Sequence, residues 1–284
     1  MKKGINMWSF PPKYVISECI HLAKDAGFSG IELAMVESGE LSLDSSSKEI
    51  AAIKQTAADA RIDITSLASG LLWQYPLTSN KQDIRRKAKE IVVKQLELAA
   101  MLEVDTILVI PGAVGVDFIP DAEIVEYDAA YDYALEGILE LAVIAEKYQV
   151  HIGLENVWNK FLLSPLEMRN FIDEVNSPYV GSYLDVGNAL LTGYPEHWIK
   201  ILGKRIKKVH FKDYRREAAG LAGFVDLLAG DVNYPAVVEA LGLVGYDGYV
   251  IAEMIPSYQY HTEQIIYNTS RSMDAILGRK GESE

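Results

Sequence analysis

The chain has 284 residues, of which 49% are hydrophobic and 24% charged, a composition typical of globular proteins rather than of disordered or fibrous ones. Its 40 acidic and 27 basic side chains give a formal net charge of −13, which argues against a nucleic acid partner, since phosphate backbones are bound mainly by clustered Lys and Arg. The single cysteine, Cys19, excludes an intramolecular disulfide and a cysteine-rich metal site. Its apolar setting predicts a buried, unreactive thiol.

No signal for export or membrane insertion follows the N-terminal Met1-Lys2-Lys3 segment, which leads directly into a short apolar run. A secretory signal needs an apolar core and a small-residue cleavage site, and a membrane-spanning helix needs 18 or more apolar residues. We therefore expect a cytoplasmic protein without a membrane partner.

Short apolar runs alternate with longer amphipathic stretches from one end of the chain to the other. The runs predict strands over residues 4–10, 30–34, 62–68, 106–111, 152–157, 180–186, 206–211 and 249–254. The stretches between them predict helices over roughly 13–27, 45–60, 81–102, 123–148, 164–174, 195–203, 232–243 and 260–277. Strict alternation is typical of parallel βαβ units.

This pattern predicts an α/β fold, a (β/α)8 TIM barrel. A doubly wound sheet is the competing architecture, but no G-x-G-x-x-G motif follows the first strand and the chain contains no P-loop,. No Pro/Gly/Ser-rich linker divides the sequence. We therefore expect one domain over residues 1–284, with a polar tail at about 278–284.

Four successive predicted strands end near a side chain that can bind a metal ion. These side chains are Glu155, Asp185, His210 and Glu253. In a barrel they would meet at the C-terminal rim, where active sites lie, and three carboxylates without a cation would repel each other. Each residue alone is more often a helix cap or a structural hydrogen-bonding group, but the four together favour a site for Mn²⁺, Mg²⁺, Co²⁺ or Zn²⁺.

Several segments around these residues resemble one protein family. The segments are GLENVWNKF, SYLDVGNALLTG, KKVHFKD, LLAGDVNYP and YVIAEM, and they resemble the xylose-isomerase-like TIM barrel superfamily, in its sugar phosphate isomerase/epimerase branch. That branch includes ketose 3-epimerases and pentulose-5-phosphate 3-epimerases. The resemblance implies an isomerase that binds one divalent metal ion, Mn²⁺ first among the candidates, through Glu155, Asp185, His210 and Glu253.

The resemblance also implies a mechanism and a substrate class. Glu155 and Glu253 match the family's acid and base, which move a proton at a ketose carbon through an enediolate. The implied substrate is a small sugar or sugar phosphate. Relatives often pair through helices on the side of the barrel, so the sequence is consistent with a homo-oligomer without determining one.

The sequence departs from the ketose epimerases at positions that would contact the substrate. Asn188 replaces a His, and Leu162 lies near the position of a Glu. Lys212 alternates with His210 and is expected to meet a phosphate or a carboxylate. Glu32 faces inward from the second strand, either toward a ligand or into a structural pair. The candidate substrate contacts are Asn188, Lys212, Trp8, Trp158, Trp73 and His261.

Three other functions stay open at this point. A keto-inositol dehydratase or isomerase would use the same metal site. A hydrolase resembling abasic-site endonucleases would need further His ligands for a three-zinc cluster, and of the five His residues in the chain only His210 and His261 are expected near the mouth. A non-catalytic sugar-binding barrel would not need both Glu155 and Glu253.

Overall fold

The computed structural model describes residues 1–255 and 258–279. Within them, the strands of the barrel are β1 (Lys2–Asn6), β2 (Gly30–Met35), β3 (Asp63–Ser69), β4 (Thr106–Val109), β5 (His151–Glu155), β6 (Val180–Asp185), β7 (Ile206–Phe211) and β8 (Tyr249–Ala252). The outer helices are α1 (Ile16–Asp25), α2 (Ser47–Ala60), α3 (Gln82–Leu102), α4 (Tyr127–Tyr148), α5 (Pro165–Val175), α6 (Pro195–Leu202), α7 (Tyr234–Leu243) and α8 (Gln264–Ile276).

The strands form a closed parallel barrel in which each strand pairs with the next along the chain. Closure comes from β1 and β8, where Lys2 lies opposite Tyr249 and Gly4 opposite Ile251. Because all strands are parallel, their carboxyl ends meet at one rim. The predicted (β/α)8 barrel is confirmed. Residues 280–284 of the predicted polar tail lie outside the described residues.

Local sequence signals explain where several helices begin. Ser164 caps α5 by accepting a hydrogen bond from the Glu167 N–H at 3.2 Å, with Pro165 in the first turn,. Ser46 and Glu49 form a reciprocal capping box at the start of α2,. These caps satisfy backbone donors that a helix start leaves without a partner.

Four predicted strands, the first, fourth, fifth and eighth, extend two or more residues past their observed ends. The first strand does not reach Phe10, because the Asn6 side chain accepts the Trp8 N–H at 2.6 Å and starts a short 3₁₀ turn. The last strand ends at Ala252 instead of Met254, whose N–H donates to the Ser9 hydroxyl at 2.9 Å rather than to a neighbouring strand.

Two small elements at the rim were not predicted. A helical turn, Val186–Ala189, directly follows β6, and Asp213–Tyr214 pairs with Phe224–Val225 in an antiparallel hairpin. The predicted burial of Cys19 is confirmed, since it is 1% exposed. Across 1–255 and 258–279, no helix has the length and hydropathy needed to cross a membrane.

Candidate metal centre and catalytic cavity

The rim of the barrel brings the four predicted metal ligands together. Glu155 and Asp185 are the last residues of β5 and β6, His210 lies in β7, and Glu253 directly follows β8. One ligand atom from each lies within 4.8 Å of the others, and all four residues are buried. The barrel thus concentrates three carboxyl groups and an imidazole in one small volume.

The His210 ring presents a different nitrogen to each side. Its Nδ1 lies 3.1 Å from Glu253 Oε2 and 3.3 Å from Glu155 Oε1, while its Nε2 lies 2.7 Å from Glu32 Oε1. Burial alone would lower the pKa of this imidazole, but the surrounding carboxylates, Glu32 foremost, raise it well above its usual range. The contact with Glu32 aims Nδ1 at the carboxyl cluster.

Glu32 itself is the centre of a buried polar network beneath the cluster. Besides His210, it accepts hydrogen bonds from Asn6 Nδ2 at 2.5 Å, from the Ser66 hydroxyl at 2.7 Å and from the Tyr183 hydroxyl. Burial raises its pKa, yet the charge and hydrogen bond of His210 outweigh burial, so the pKa is lowered overall. The sequence left open whether Glu32 bonds a ligand or a group behind it, or forms a buried structural pair; the structure places it on His210, a predicted metal ligand, inside a fully buried network.

Lys212 supplies positive charge on the cavity side of the cluster. Its side chain is 11% exposed, and Nζ lies 2.7 Å from Glu253 Oε2 and 3.2 Å from Asp185 Oδ2. Burial works against its charged form, but the three carboxyl groups outweigh burial and raise the pKa of Lys212. Lys212 thus contacts two carboxylates of its own chain, and its expected contact with a phosphate or carboxylate of the substrate stays a prediction.

Gly187 makes room for Lys212. A Cβ at this position would lie 2.4 Å from Lys212 Cβ and 3.0 Å from the Lys212 carbonyl carbon. Only a residue without a side chain lets the helical turn after Asp185 pass this near to Lys212.

The two glutamates of the cluster have different acidities. Burial raises the pKa of Glu155 to about 7. Burial acts on Glu253 in the same sense, but Lys212 and His210 outweigh it and lower its pKa to about 2. Two carboxyl groups whose surroundings separate their pKa values are typical of acid–base sites.

The donor set fits a hard divalent cation. Asp185 Oδ1 accepts the Asn188 N–H at 2.8 Å, whereas Asp185 Oδ2 is buried and has no hydrogen-bond partner in the described part of the chain. Lys212 approaches Oδ2 as an ion contact only. A buried carboxylate oxygen without a hydrogen bond, beside two further carboxyl groups and Nδ1 of His210, is suited to metal coordination.

A cavity of about 440 Å³ opens above the cluster. Of the four predicted ligands, the two glutamates line it, together with Lys212 and three half-buried indoles. These residues are Glu155, Glu253, Lys212, Trp8, Trp73 and Trp158. The cavity therefore combines apolar walls with an acidic floor, an arrangement suited to a sugar, whose C–H faces and hydroxyl groups need both.

Comparison with known proteins gives the family. The model of the xylose isomerase-like TIM barrel matches residues 20–275, which is most of the chain. The chain belongs to this family. The resemblance inferred from the rim segments is thereby confirmed.

Individual relatives of this family member are distant but cover nearly its whole length. An L-ribulose-5-phosphate 3-epimerase of Salmonella heidelberg is 25% identical over 89% of the chain and 88% of its own length. Among solved structures, a D-tagatose 3-epimerase-like protein superposes with a TM-score of 0.80 at 21% identity, covering 98% of this chain and 97% of the other. A D-psicose 3-epimerase of Clostridium cellulolyticum H10 gives 0.77 at 20% identity, with the same coverages. The solved structures support the fold.

The structure places the other predicted substrate contacts in two groups. Trp8, Trp73 and Trp158 line the catalytic cavity, as does Asn188. The Asn188 amide donates to the Asn156 carbonyl at 3.0 Å, so part of its side chain holds the rim together. His261 is exposed and is not among the described residues that line the cavity.

The loop after β7 covers one side of the cavity, a role that the sequence analysis did not assign. Leu221, Ala222 and Phe224 contribute to the lining. Phe224 stacks on Trp158 with ring centroids 4.9 Å apart and an angle of 23° between the planes. The run of Gly and Ala residues in this loop carried no hydrophobic period that could have indicated the contact.

Asp213 anchors this loop from inside. Its carboxylate accepts four backbone N–H groups, those of Tyr214, Leu228, Gly230 and Val232, at 2.9 to 3.1 Å. Burial raises the pKa of Asp213, and these hydrogen bonds partly oppose that rise. The position of the cavity wall thus depends on one buried side chain.

Proposed function

We propose that this protein is an isomerase, a divalent-metal-dependent epimerase or isomerase of a ketose or ketose phosphate. The observation that carries the proposal is that Glu155 and Glu253 both line the cavity while both belong to the buried metal-binding cluster. The similarity to L-ribulose-5-phosphate 3-epimerases over most of the chain supports the same reaction class.

Glu155, Asp185, His210 and Glu253 would hold the ion, with Mn²⁺ as our first candidate and Mg²⁺, Co²⁺ or Zn²⁺ as alternatives. When bound, the cation supplies positive charge next to the negative charge that develops on the substrate oxygens. Glu32 keeps His210 oriented for this role, and Lys212 balances part of the carboxylate charge.

The two glutamates perform the proton transfers. One carboxylate takes the proton from the carbon beside the ketone, which breaks the C–H bond and leaves an enediolate. The other, in its protonated form, donates its proton to the opposite face of that carbon. A new C–H bond forms with inverted configuration, and the protons and electrons balance without a co-reactant. Lys212, 2.7 Å from Glu253, favours the ionised form of that carboxyl group.

Deuterium exchange tests this proposal directly. The Mn²⁺-loaded protein is incubated in D₂O with a panel of ketoses, ketose phosphates and keto-inositols, and exchange beside the carbonyl is followed by NMR. We expect exchange together with an epimerised or isomerised sugar. Loss of water from a keto-inositol would instead indicate a dehydratase, and tight sugar binding without any exchange would indicate a binding protein.

Variants of the two glutamates sharpen the test. Glu253→Gln and Glu155→Gln should each reduce exchange by at least about 100-fold, because each removes one partner of the proton transfer. Glu239→Gln, at an exposed position of α7, is the matched control and should keep full activity. Undiminished exchange in Glu253→Gln would contradict its role.

The remaining expectations stay predictions. These are a cytoplasmic location, a single domain over residues 1–284, a homo-oligomer and the exclusion of nucleic acid as a partner. Size-exclusion chromatography with light scattering would test the oligomeric state directly.

A further inference from the structure

We propose that the natural substrate is an uncharged ketose that carries a glycosyl group, and that a second cavity beside the catalytic one receives this group. The proposal rests on the function proposed above and names its substrate class. Three observations support it: the shared wall of the two cavities, the charge balance of their linings, and the chemistry of the second lining.

The second cavity has a volume of about 610 Å³ and borders the catalytic cavity. Both cavities include the same five residues in their walls, which are Phe118, Val157, Trp158, Asn188 and Leu221. Each volume alone lies within the roughly 300–1,000 Å³ typical of sites for drug-sized ligands. A substrate that reached from the glutamates into the second cavity would extend past Trp158.

Trp158 is fixed at this boundary. Its Nε1 donates to the Asn188 carbonyl at 3.3 Å, Phe224 stacks on its ring, and Tyr214 packs edge-on with centroids 5.2 Å apart. A rigid indole that belongs to both linings is suited to pack against a chain of sugar units.

Positive charge around the two cavities is already paired. Lys212, the one cation among the described residues lining the catalytic cavity, is in contact with Glu253 and Asp185. Lys160, which lines the second cavity, lies 2.6 Å from Asp117. Among the described residues, each lining offers a single lysine to a phosphate dianion, and neither brings together the several cationic groups that bind one tightly,.

The loop arginines are occupied as well. Arg215 donates to the Ala229 carbonyl at 2.8 Å, and Arg216 donates to the carbonyl of Gly193 at 3.2 Å while its guanidinium lies over the Tyr194 ring. These contacts to backbone and ring, rather than to the cavities, favour a substrate without a phosphate.

The second lining combines apolar surface with neutral hydrogen-bonding groups. Leu162, Leu191 and Trp198 supply apolar surface, and Asn188 and Thr192 supply an amide and a hydroxyl. A glycosyl group has the matching chemistry, because its C–H faces pack against apolar side chains and its hydroxyl groups bond to neutral polar ones.

Three sugars that differ only at O6 test the proposal: D-fructose, D-fructose 6-phosphate and isomaltulose, which carries a glucosyl group at O6. Lactulose, with a galactosyl group at O4, tests the other attachment point. We expect kcat/KM for exchange at C3 to be at least tenfold higher for isomaltulose or lactulose than for fructose, and at least tenfold lower for fructose 6-phosphate. A preference for the phosphate, or no gain from either glycosyl group, would overturn the proposal.

A variant locates the effect in the second cavity. Thr192 is exposed and lines that cavity but not the catalytic one, so Thr192→Trp should obstruct it without unfolding the chain. We expect the ratio of kcat/KM for the preferred glycosylated sugar to that for fructose to fall at least tenfold. Leu243→Trp, 70% exposed at the end of α7, is the control and should keep the ratio. An unchanged ratio in Thr192→Trp would refute the assignment.

The outcomes distinguish a failure of this substrate proposal from a failure of the proposed epimerase or isomerase function. Exchange with fructose but no preference for a glycosylated sugar would overturn the substrate class and leave the epimerase in place. A lack of exchange with every sugar of the panel would overturn both.

Discussion

Substitution of Gly187 by alanine tests how the helical turn after β6 positions Lys212. The new Cβ would lie 2.4 Å from Lys212 Cβ, whereas carbon atoms normally approach no closer than about 3.5 Å, so Lys212 must move by about 1 Å. Nζ of Lys212 would then lose its place between Glu253 Oε2 and Asp185 Oδ2, now 2.7 and 3.2 Å away.

The cost of Gly187→Ala has two parts. Overpacking at a buried position costs about 1–3 kcal/mol, which lowers Tm by about 2–4 °C for each kcal/mol in a chain of this size class. In the catalytic cavity, a displacement of about 1 Å reduces turnover up to about 100-fold. We therefore expect Gly187→Ala to lower both Tm and kcat.

Differential scanning calorimetry and the deuterium exchange assay measure these losses. Gly242→Ala is the matched control, because Gly242 lies in α7 and a Cβ there would meet no atom within 4 Å. It should raise stability by up to about 1 kcal/mol, since alanine is the better helix former. If Gly187→Ala kept both Tm and turnover, the inferred contact with Lys212 would be refuted.

Three further predictions concern side chains around the cavity and in the barrel wall. Glu32→Gln should raise the Mn²⁺ dissociation constant about 10–100-fold by calorimetry, because the partner that orients His210 loses its charge. Asp213→Asn leaves two of four backbone N–H groups without a carboxylate acceptor, so we expect faster amide hydrogen exchange across residues 214–232 and a higher KM. Burial raises the pKa of Cys19 from 9.0 to about 12, so at pH 8 the folded chain should contain about 1,000-fold less thiolate than the unfolded chain and react correspondingly more slowly with a disulfide reagent.

Each of these predictions has an outcome that would contradict it. Unchanged Mn²⁺ affinity in Glu32→Gln, with Glu239→Gln as the control, would show that the orientation of His210 does not depend on Glu32. Unaltered exchange protection of the loop would remove Asp213 as its anchor. The raised pKa of Cys19 also sets how its thiol affects stability with pH. The buried neutral thiol contributes fully to the free energy of unfolding below about pH 9, and this contribution is lost as the pH rises toward 12,. Rapid labelling of the native protein at pH 8 would refute the burial argument.

The barrel and the cluster were predictable because they depend on local patterns that repeat. The β and α periods alternate along the chain, and a parallel barrel places every strand's carboxyl end at one rim. The positions of Glu155 and Asp185 at strand ends follow directly from this rule. The position of Glu253 was also predictable, although β8 ends one residue before it.

The contacts within the rim were not predictable, because they join side chains far apart in sequence. Periodicity placed Glu32 inside the barrel, but its contact with His210 spans 178 positions. Lys212 alternates with His210, yet only the three-dimensional structure shows that carboxylates of its own chain already surround it. The exposed position of His261 has a related reason, because proximity to β8 in sequence does not determine whether a loop residue turns inward.

The contacts of Lys212 and His210 with the carboxyl cluster also bear on when the protein acquires its metal. Both groups place positive charge beside the carboxylates from within the chain, so the fold itself offsets part of the charge of the cluster. Structural zinc domains, by contrast, fold only as they bind their ion. We therefore expect this barrel to mature as a stable apoprotein that survives chelation, and the ion it carries to be chosen by the supply in its compartment rather than by the folding reaction.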